Sequence, residues 1–270
     1  MIRNIKIIAA DIDGTITTSN YITPKRNIEA IENLRKAGYL FGLASGRPVD
    51  DLKNKYEIWG LSKQVDFIIG WNGAELYDAR KDVKYNYNYL TKQELKEIVD
   101  FMRPYEKITS VYLPGIYLAS NDSEKALSSS EKTHRKLVIA KSYDEFSAVD
   151  NGGIMFRTDI KQMPEIEKVV VEKTKDKNYV GFKTQADLME FANKNCNKGY
   201  ALRKYCELND MSLDECMAFG DTTNDNEILR ICNGVCMLNG SDDTKACAKY
   251  ITDTECDLEG FADFVEKNLL

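Results

Sequence analysis

Short apolar runs that stop at acidic or polar clusters, separated by amphipathic helical stretches, constrain this chain more than any other feature. Residues 5–10 read as a buried strand that ends at Asp11 and gives way to a loop rich in Gly, Thr, Ser and Asn. A second run, 40–44, ends at Ser45-Gly46-Arg47-Pro48, and a third, 67–70, ends near Trp71-Asn72-Gly73. Between the first two, Thr23-Pro24 predicts a helix start, with Ile28, Ile31 and Leu34 on one face and Gly38 just past the end. A short helix carrying Val49, Leu52 and Tyr56 separates the second run from the third. Strands alternating with helices in this way predict an α/β fold built on a Rossmann-like parallel sheet.

The texture changes near residue 83. Lys84-Tyr85-Asn86-Tyr87 leads to Thr91-x-x-Glu94, a capping box ahead of a helix with Leu95, Ile98 and Val99. Short strand candidates follow at 108–113, 116–119, 137–140 and 153–158, with a helix at 164–174, and Ser128-Ser129-Ser130 reads as a mobile loop. Residues 186–192 read as the return to the main body. The expected organisation is therefore a core of residues 1–82 and 188–270, with 83–187 inserted as a smaller α+β domain. In the second part of the core the alternation resumes: a helix at 199–208, a strand at 216–219, a helix after Asn224, a strand at 235–238 and a last helix at 258–269.

Composition narrows the class. A chain of 270 residues with 43% hydrophobic and 30% charged side chains has enough apolar surface to offset the entropy of ordering, which excludes disorder. A net charge of -6 argues against a nonspecific grip on nucleic acid or on an anionic membrane. No stretch is long and apolar enough to read as a membrane span, and the opening residues are too short and charged for a signal peptide. The 7 Cys include no Cys-x-x-Cys, and the chain has 1 His, so Cys232 and Cys236 lack the partners a zinc site needs; reduced thiols in a cytoplasmic protein are expected.

Four clusters fall at predicted strand ends or helix starts, where open parallel sheets place ligands. Asp11 and Asp13 stand two apart in Asp11-Ile12-Asp13-Gly14-Thr15, so at a strand end they lie on one side of the chain. Asp221, with Asn224 and Asp225 behind it, follows the strand 216–219 and Gly220. If those strands are neighbours, several carboxylates converge with no His to relieve them, and a hard cation resolves the repulsion; magnesium suits carboxylates plus a phosphate. Ser45-Gly46-Arg47 offers a hydroxyl and backbone N–H groups for an anion, and Lys198 supplies positive charge just before a helix. Asp11 can then serve as a nucleophile.

Asp11-x-Asp13-Gly14-Thr15, Ser45-Gly46-Arg47, Lys198 and Gly220-Asp221-x-x-Asn224-Asp225, in that order and spacing, resemble the four motifs of haloacid dehalogenase superfamily phosphatases. Asn72-Gly73-Ala74, Asn197-Lys198-Gly199-x-Ala201-Leu202 and Leu238-Asn239-Gly240 make the chain similar to the Cof-type hydrolases of that superfamily, and the insertion resembles their second-type cap in place and size. The resemblance implies Asp11 as the phosphorylated nucleophile, Asp13 as general acid and base, and Ser45 and Lys198 as phosphate binders. It also implies magnesium held by Asp11, the Asp13 carbonyl and Asp221, with Asp225 and Asn224 in support.

Other side chains have simpler readings. Arg47 could contact a substrate phosphate or brace a neighbouring acid, and Asn72 could cap a turn or touch substrate. His134, in a polar stretch far from every motif, reads as a surface residue. Tyr85, Tyr87, Tyr89, Tyr112 and Tyr117 alternate with other residues as sheet side chains do. The functional expectation is a magnesium-dependent phosphatase of small phosphomonoesters, sugar phosphates first, with a mobile cap that closes over the substrate. Its rivals are a phosphosugar mutase or phosphotransferase using the same aspartyl phosphate, and a catalytically silent protein that binds a phosphorylated metabolite. Oligomeric state and the cap residues that meet substrate are not readable from the sequence.

Overall fold

In the computed structural model, which describes every residue except Met1, Arg3 and Ser62, the chain divides into two units: Met1–Tyr87 with Asn197–Leu270, and Asn88–Cys196. The first unit begins with β1 (Ile7–Ala10), α1 (Lys25–Lys36), β2 (Leu40–Ala44), α2 (Val49–Ile58) and β3 (Phe67–Gly70). A hairpin of β4 (Glu75–Asp78) and β5 (Val83–Asn86) follows. The second unit contains α3 (Lys92–Met102), β6 (Glu106–Leu113), β7 (Ile116–Ala119), α4 (Glu124–Lys132), β8 (Lys136–Ile139), β9 (Ile154–Thr158), α5 (Met163–Thr174), β10 (Tyr179–Gln185) and β11 (Leu188–Asn193). The chain returns to the first unit with α6 (Lys198–Leu208), β12 (Cys216–Gly220), α7 (Asn226–Ile231), β13 (Asn233–Cys236), α8 (Asp242–Lys245), β14 (Tyr250–Ile251) and α9 (Gly260–Asn268).

The first unit is the expected doubly wound sheet, ordered β14-β13-β12-β1-β2-β3-β4-β5. Pairing is parallel from β14 to β3 and antiparallel through the β4–β5 hairpin. Because side chains alternate along a strand, β1 sends Ile8 and Ala10 into one apolar layer with Leu34 of α1 and Phe261 of α9. Ile7 and Ala9 go to the opposite layer, with Leu202 of α6 and Leu229 of α7. Burial on both faces is why these strands read as unbroken apolar runs. The register pairs Ala10 with Phe219 on one side and Leu43 on the other, so β1, β2 and β12 finish level and their following residues share one edge.

In the second unit the sheet order is β10-β11-β9-β6-β7-β8, antiparallel except for β7 with β8. Leu95, Ile98 and Val99 of α3 and Ile166 and Val170 of α5 cover it, packing on Val111, Phe156 and Phe191. The Thr91 capping box is present, with the hydroxyl accepting the Glu94 N–H. Tyr112 and Tyr117 are cross-strand partners with rings 5.5 Å apart, as sheet packing requires.

Several expectations need correction. Residues 83–86 are β5 and pair with β4, so the first unit extends to Tyr87 rather than to 82. Residues 188–193 are β11, hydrogen-bonded to β9 and β10, so the second unit runs on to Cys196 and the return comes later than 188. The serines at 128–130 lie in α4, not a loop: the Ser129 and Ser130 hydroxyls donate to the carbonyls of Lys125 and Leu127, so helix backbone satisfies them. Helix α1 starts at Lys25 with Pro24 as its cap. The strand expected at 235–238 forms two residues earlier, as β13, with Gly234 opposite Ala218. His134 is exposed, as expected.

Candidate active site

The level ends of β1, β2 and β12 bring the sequence-predicted residues to one edge of the first unit. Asp11 follows β1 directly, is 7% exposed, and donates its backbone N–H to Phe219 of β12 at 2.9 Å. Lys198 opens α6 behind the cap Asn197, whose side chain accepts the Tyr200 N–H at 2.7 Å. That helix start is seated against the turn after β3: a Cβ on Gly73, whose φ is +102°, would lie 2.1 Å from the Asn197 carbonyl oxygen. Only glycine fits there.

Lys198, fully buried, donates to Oδ1 of Asp11 and to Oδ1 of Asp225, each at 2.6 Å. The other oxygen of Asp225 accepts the backbone N–H groups of Asp221 and Thr222 at 3.0 and 3.2 Å. Asp221 in turn accepts the Thr15 hydroxyl on Oδ1 at 3.0 Å. Its Oδ2 rests against Gly14, at φ +83°, where a Cβ would come within 2.4 Å. Asp11, Lys198, Asp225, Asp221 and Thr15 thus form one connected cluster.

Electrostatics set this cluster apart. Burial, with Asp225 and Asp221 adding to it against the opposing pull of Lys198, raises the Asp11 pKa to about 8. Burial and Asp225 likewise raise Asp221 to about 6. Burial works against the Lys198 charge, yet Asp11 and Asp225 overcome it and its pKa is raised, so the lysine keeps its proton and the excess negative charge falls on the acids. Among the described residues, Asp11, Asp221 and Asp225 form the one group of side chains with ligand atoms close enough to share a metal, all within 4.8 Å of one another. An all-oxygen donor set with surplus negative charge, against a turn closed to any Cβ, fits a small hard cation.

Two further clusters flank the first. Arg47 places Nε at 3.3 Å and Nη2 at 3.0 Å from Oδ2 of Asp13, so of the two readings of this arginine the structure displays the brace. Asp13 and Arg47 are each about a third exposed, the most open of the charged groups here. Ser45 is 3% exposed; its hydroxyl accepts the Arg47 N–H at 3.3 Å and its carbonyl accepts the Asn72 N–H at 3.0 Å. Asn72 is left-handed, with φ 49° and ψ 31°, and Trp71 before it also has φ 49°. Two such residues in succession are strained, a cost that functional turns carry. The Asn72 side-chain oxygen accepts from Asn224 Nδ2 at 3.1 Å, joining the turn after β3 to the turn after β12. Gly46 lies under this contact: a Cβ there would be 3.2 Å from Asn72 Nδ2.

Three supporting residues have tasks that sequence reasoning missed. Thr15 belongs to the first motif, yet only the structure shows its hydroxyl on Asp221. Asn239 donates to the Gly14 carbonyl at 2.9 Å and accepts the Cys256 N–H at 2.9 Å, holding the turn that touches Asp221. Glu75, 4% exposed, accepts the Val49 N–H at 2.7 Å and pairs with Lys84 at 2.6 Å, fixing the helix start that follows Arg47. A charged residue inside an apolar run, as at Ala74-Glu75-Leu76, was the available signal.

The comparisons agree with this architecture. The family model for haloacid dehalogenase-like hydrolases matches residues 8–265. A curated relative, the HMP-PP phosphatase of Yersinia pseudotuberculosis, is 27% identical over 241 residues, covering 87% of this chain and 84% of its own. The crystal structure of a haloacid dehalogenase-like hydrolase from Bacteroides thetaiotaomicron is similar in fold, with a TM-score of 0.87 at 21% identity, over 97% of this chain and 99% of that one. A subclass IIB sugar phosphatase of the same superfamily has a TM-score of 0.80 at 21% identity, over 97% and 98% of the two chains. No described helix is long and apolar enough to cross a membrane.

Proposed function

The chain belongs to the haloacid dehalogenase-like hydrolases, and on that premise we propose that it is a magnesium-dependent phosphatase of small organic phosphomonoesters, with sugar phosphates as the leading class. The observation that carries this reading is the contact of Lys198 with Asp11 at 2.6 Å, on the sheet edge that also holds Asp221 and Ser45. A carboxylate held by a buried ammonium beside further carboxylates has the makings of a nucleophile for an anionic group, not of a passive anion site. Binding alone has no use for the second acid, Asp13, at the more open margin. Relatives named for HMP-PP and for sugars support a phosphatase with a small substrate.

In this reading Asp11 attacks phosphorus and becomes the aspartyl phosphate. Lys198 and the Ser45 hydroxyl hold phosphate oxygens, stabilising the charge that spreads over them. Asp13, oriented by Arg47, gives its proton to the leaving oxygen, then takes one from the water that cleaves the aspartyl phosphate. Two inversions give net retention at phosphorus. Magnesium, bound by the Asp11 and Asp221 carboxylates and the Asp13 carbonyl, would supply the charge that lets a phosphate dianion approach Asp11. Asp225 braces Lys198 and the Asp221 backbone, and Asn224 ties Asp221's turn to Asn72.

The test is phosphate release from sugar phosphates, pyridoxal phosphate, nucleotides, HMP-PP and an activated aryl phosphate, with magnesium and with chelator. Expected is magnesium-dependent release, fastest with the sugar phosphates. Release that ignores the chelator, or an isomeric phosphosugar in place of free phosphate, would contradict the proposal.

A further inference from the structure

Two buried thiols lie outside the candidate site. Cys206 is in the last turn of α6 and Cys216 opens β12; they are 2% and 0% exposed, and their sulfurs are 3.3 Å apart. That is about 1.3 Å beyond disulfide bond length. The segment between them is short and turns tightly: the Cys206 carbonyl accepts the N–H groups of Asn209 and Met211 at 3.1 and 3.0 Å, and Asp210 has φ 52°. Both cysteines sit in the apolar layer with Ile7, Leu202 and Tyr205, and neither is part of a disulfide.

We propose that Cys206 and Cys216 are a reversible disulfide pair, closed by hydrogen peroxide and reopened by a small thiol, which latches the end of α6 to the start of β12. The Cys216 S–H has two acceptors in reach, Cys206 Sγ and the Ser212 carbonyl at 3.4 Å. Donation to Cys206 favours the thiolate there and holds its pKa below the ordinary thiol value, whereas the same contact and burial push Cys216 up. The Cys206 thiolate attacks one peroxide oxygen; the O–O bond breaks, leaving a sulfenic acid and a hydroxide that takes up a proton. The Cys216 sulfur then attacks the Cys206 sulfur, gives up its proton and expels the sulfenic oxygen as water. Two electrons pass from the two thiols to the peroxide, and two waters form. An oxidant for this pair has to be small, because both sulfurs are covered and reached only when the last turn of α6 frays.

The latch acts at the opposite ends of both elements from the candidate site: Lys198 opens α6, and Asp221 follows the far end of β12. It is therefore expected to resist unfolding without gating turnover.

Full-length protein is exposed to hydrogen peroxide, alkylated, and cleaved without reduction on the carboxyl side of glutamate, which separates the cysteines at Glu207 and Glu215. Expected is a Cys206–Cys216 cross-linked peptide that dithiothreitol abolishes, a melting midpoint several degrees above that of the reduced protein, and turnover changed less than twofold. Cys206→Ala removes the cross-link and the shift, while Cys232→Ala retains both. Oxidation of Cys206 to the sulfinic acid, a bridge to Cys232 in its place, or a cross-link that leaves the midpoint unmoved would each overturn the proposal. Cys196 shares the glutamate peptide 191–207 with Cys206, so fragmentation that places the alkyl label on Cys196 decides the pairing in the unsubstituted protein even if Cys206→Ala fails to fold.

Discussion

Asp225 stands behind Lys198, its Oδ1 2.6 Å from Nζ, while its Oδ2 accepts the N–H groups of Asp221 and Thr222. Both oxygens are committed to holding other members of the site, so in the proposed mechanism Asp225 has a positioning role although its carboxylate lies in the metal-competent cluster. Asp225→Ala leaves a buried ammonium with half its compensation and is expected to destabilise the protein by about 3–5 kcal/mol. Asp225→Asn is expected to slow turnover while shifting the magnesium titration midpoint far less than Asp221→Asn does. Equal shifts in the two variants would make Asp225 a ligand.

Gly14 supplies a second test of the metal assignment. Its φ is +83° and a Cβ there would come within 2.4 Å of Asp221 Oδ2, so Gly14→Ala has to displace the carboxylate. Expected is a protein with an unchanged circular dichroism spectrum that needs at least ~10-fold more magnesium for half-maximal rate, about 1.4 kcal/mol of lost binding. An unaltered magnesium requirement would remove Asp221 from the ligand set.

Much of this arrangement was legible in the sequence because the chemistry sits at strand ends. A run such as 5–10 that stops at Asp11 announces both the strand and the residue it delivers. The parallel core, the insertion and the convergence of Asp11, Lys198 and Asp221 follow from that pattern. Division of labour among the acids did not, since it rests on tertiary partners: Asp225 accepts from Lys198 and two backbone N–H groups, whereas Asp221 accepts from the Thr15 hydroxyl. The β4–β5 hairpin escaped because β4 is buried yet carries Glu75 and Asp78, so neither alternation nor an unbroken apolar run marks it. Helix α4 escaped because its serines bond to their own backbone, a compensation invisible in composition.

In the proposed site, protons and magnesium would compete for the same oxygens. Asp11 and Asp221 have pKa values raised to about 8 and about 6 in the metal-free fold, above those of an unfolded chain. The folded state therefore binds more protons than the unfolded state between about pH 4 and pH 8, and metal-free stability falls as pH rises through that window. Magnesium bound there would require the ionised carboxylates and reverse the trend. Expected is a magnesium-induced rise in melting midpoint that is small at acidic pH and grows through pH 6 to 8, with proton release on binding by calorimetry. A rise of equal size at all pH values would contradict the site.

Arg47 touches Asp13 through two nitrogens on one oxygen, a geometry that a lysine cannot reproduce. Arg47→Lys is expected to lower kcat by about tenfold with KM changed less than twofold, the pattern of a group that orients an acid in the transition state. A rise in KM with kcat intact would instead place Arg47 on the substrate phosphate.

The most direct measurement is phosphate release by Asp11→Asn beside the unsubstituted protein, on the best substrate of the panel, with magnesium present and the asparagine verified by mass against deamidation. The isosteric amide replaces the carboxylate that Lys198 holds at 2.6 Å, the nucleophile of the proposed mechanism. Expected is loss of turnover by at least ~10³-fold, about 4 kcal/mol of transition-state stabilisation. A variant that releases phosphate at the normal rate would show that Asp11 is not the nucleophile.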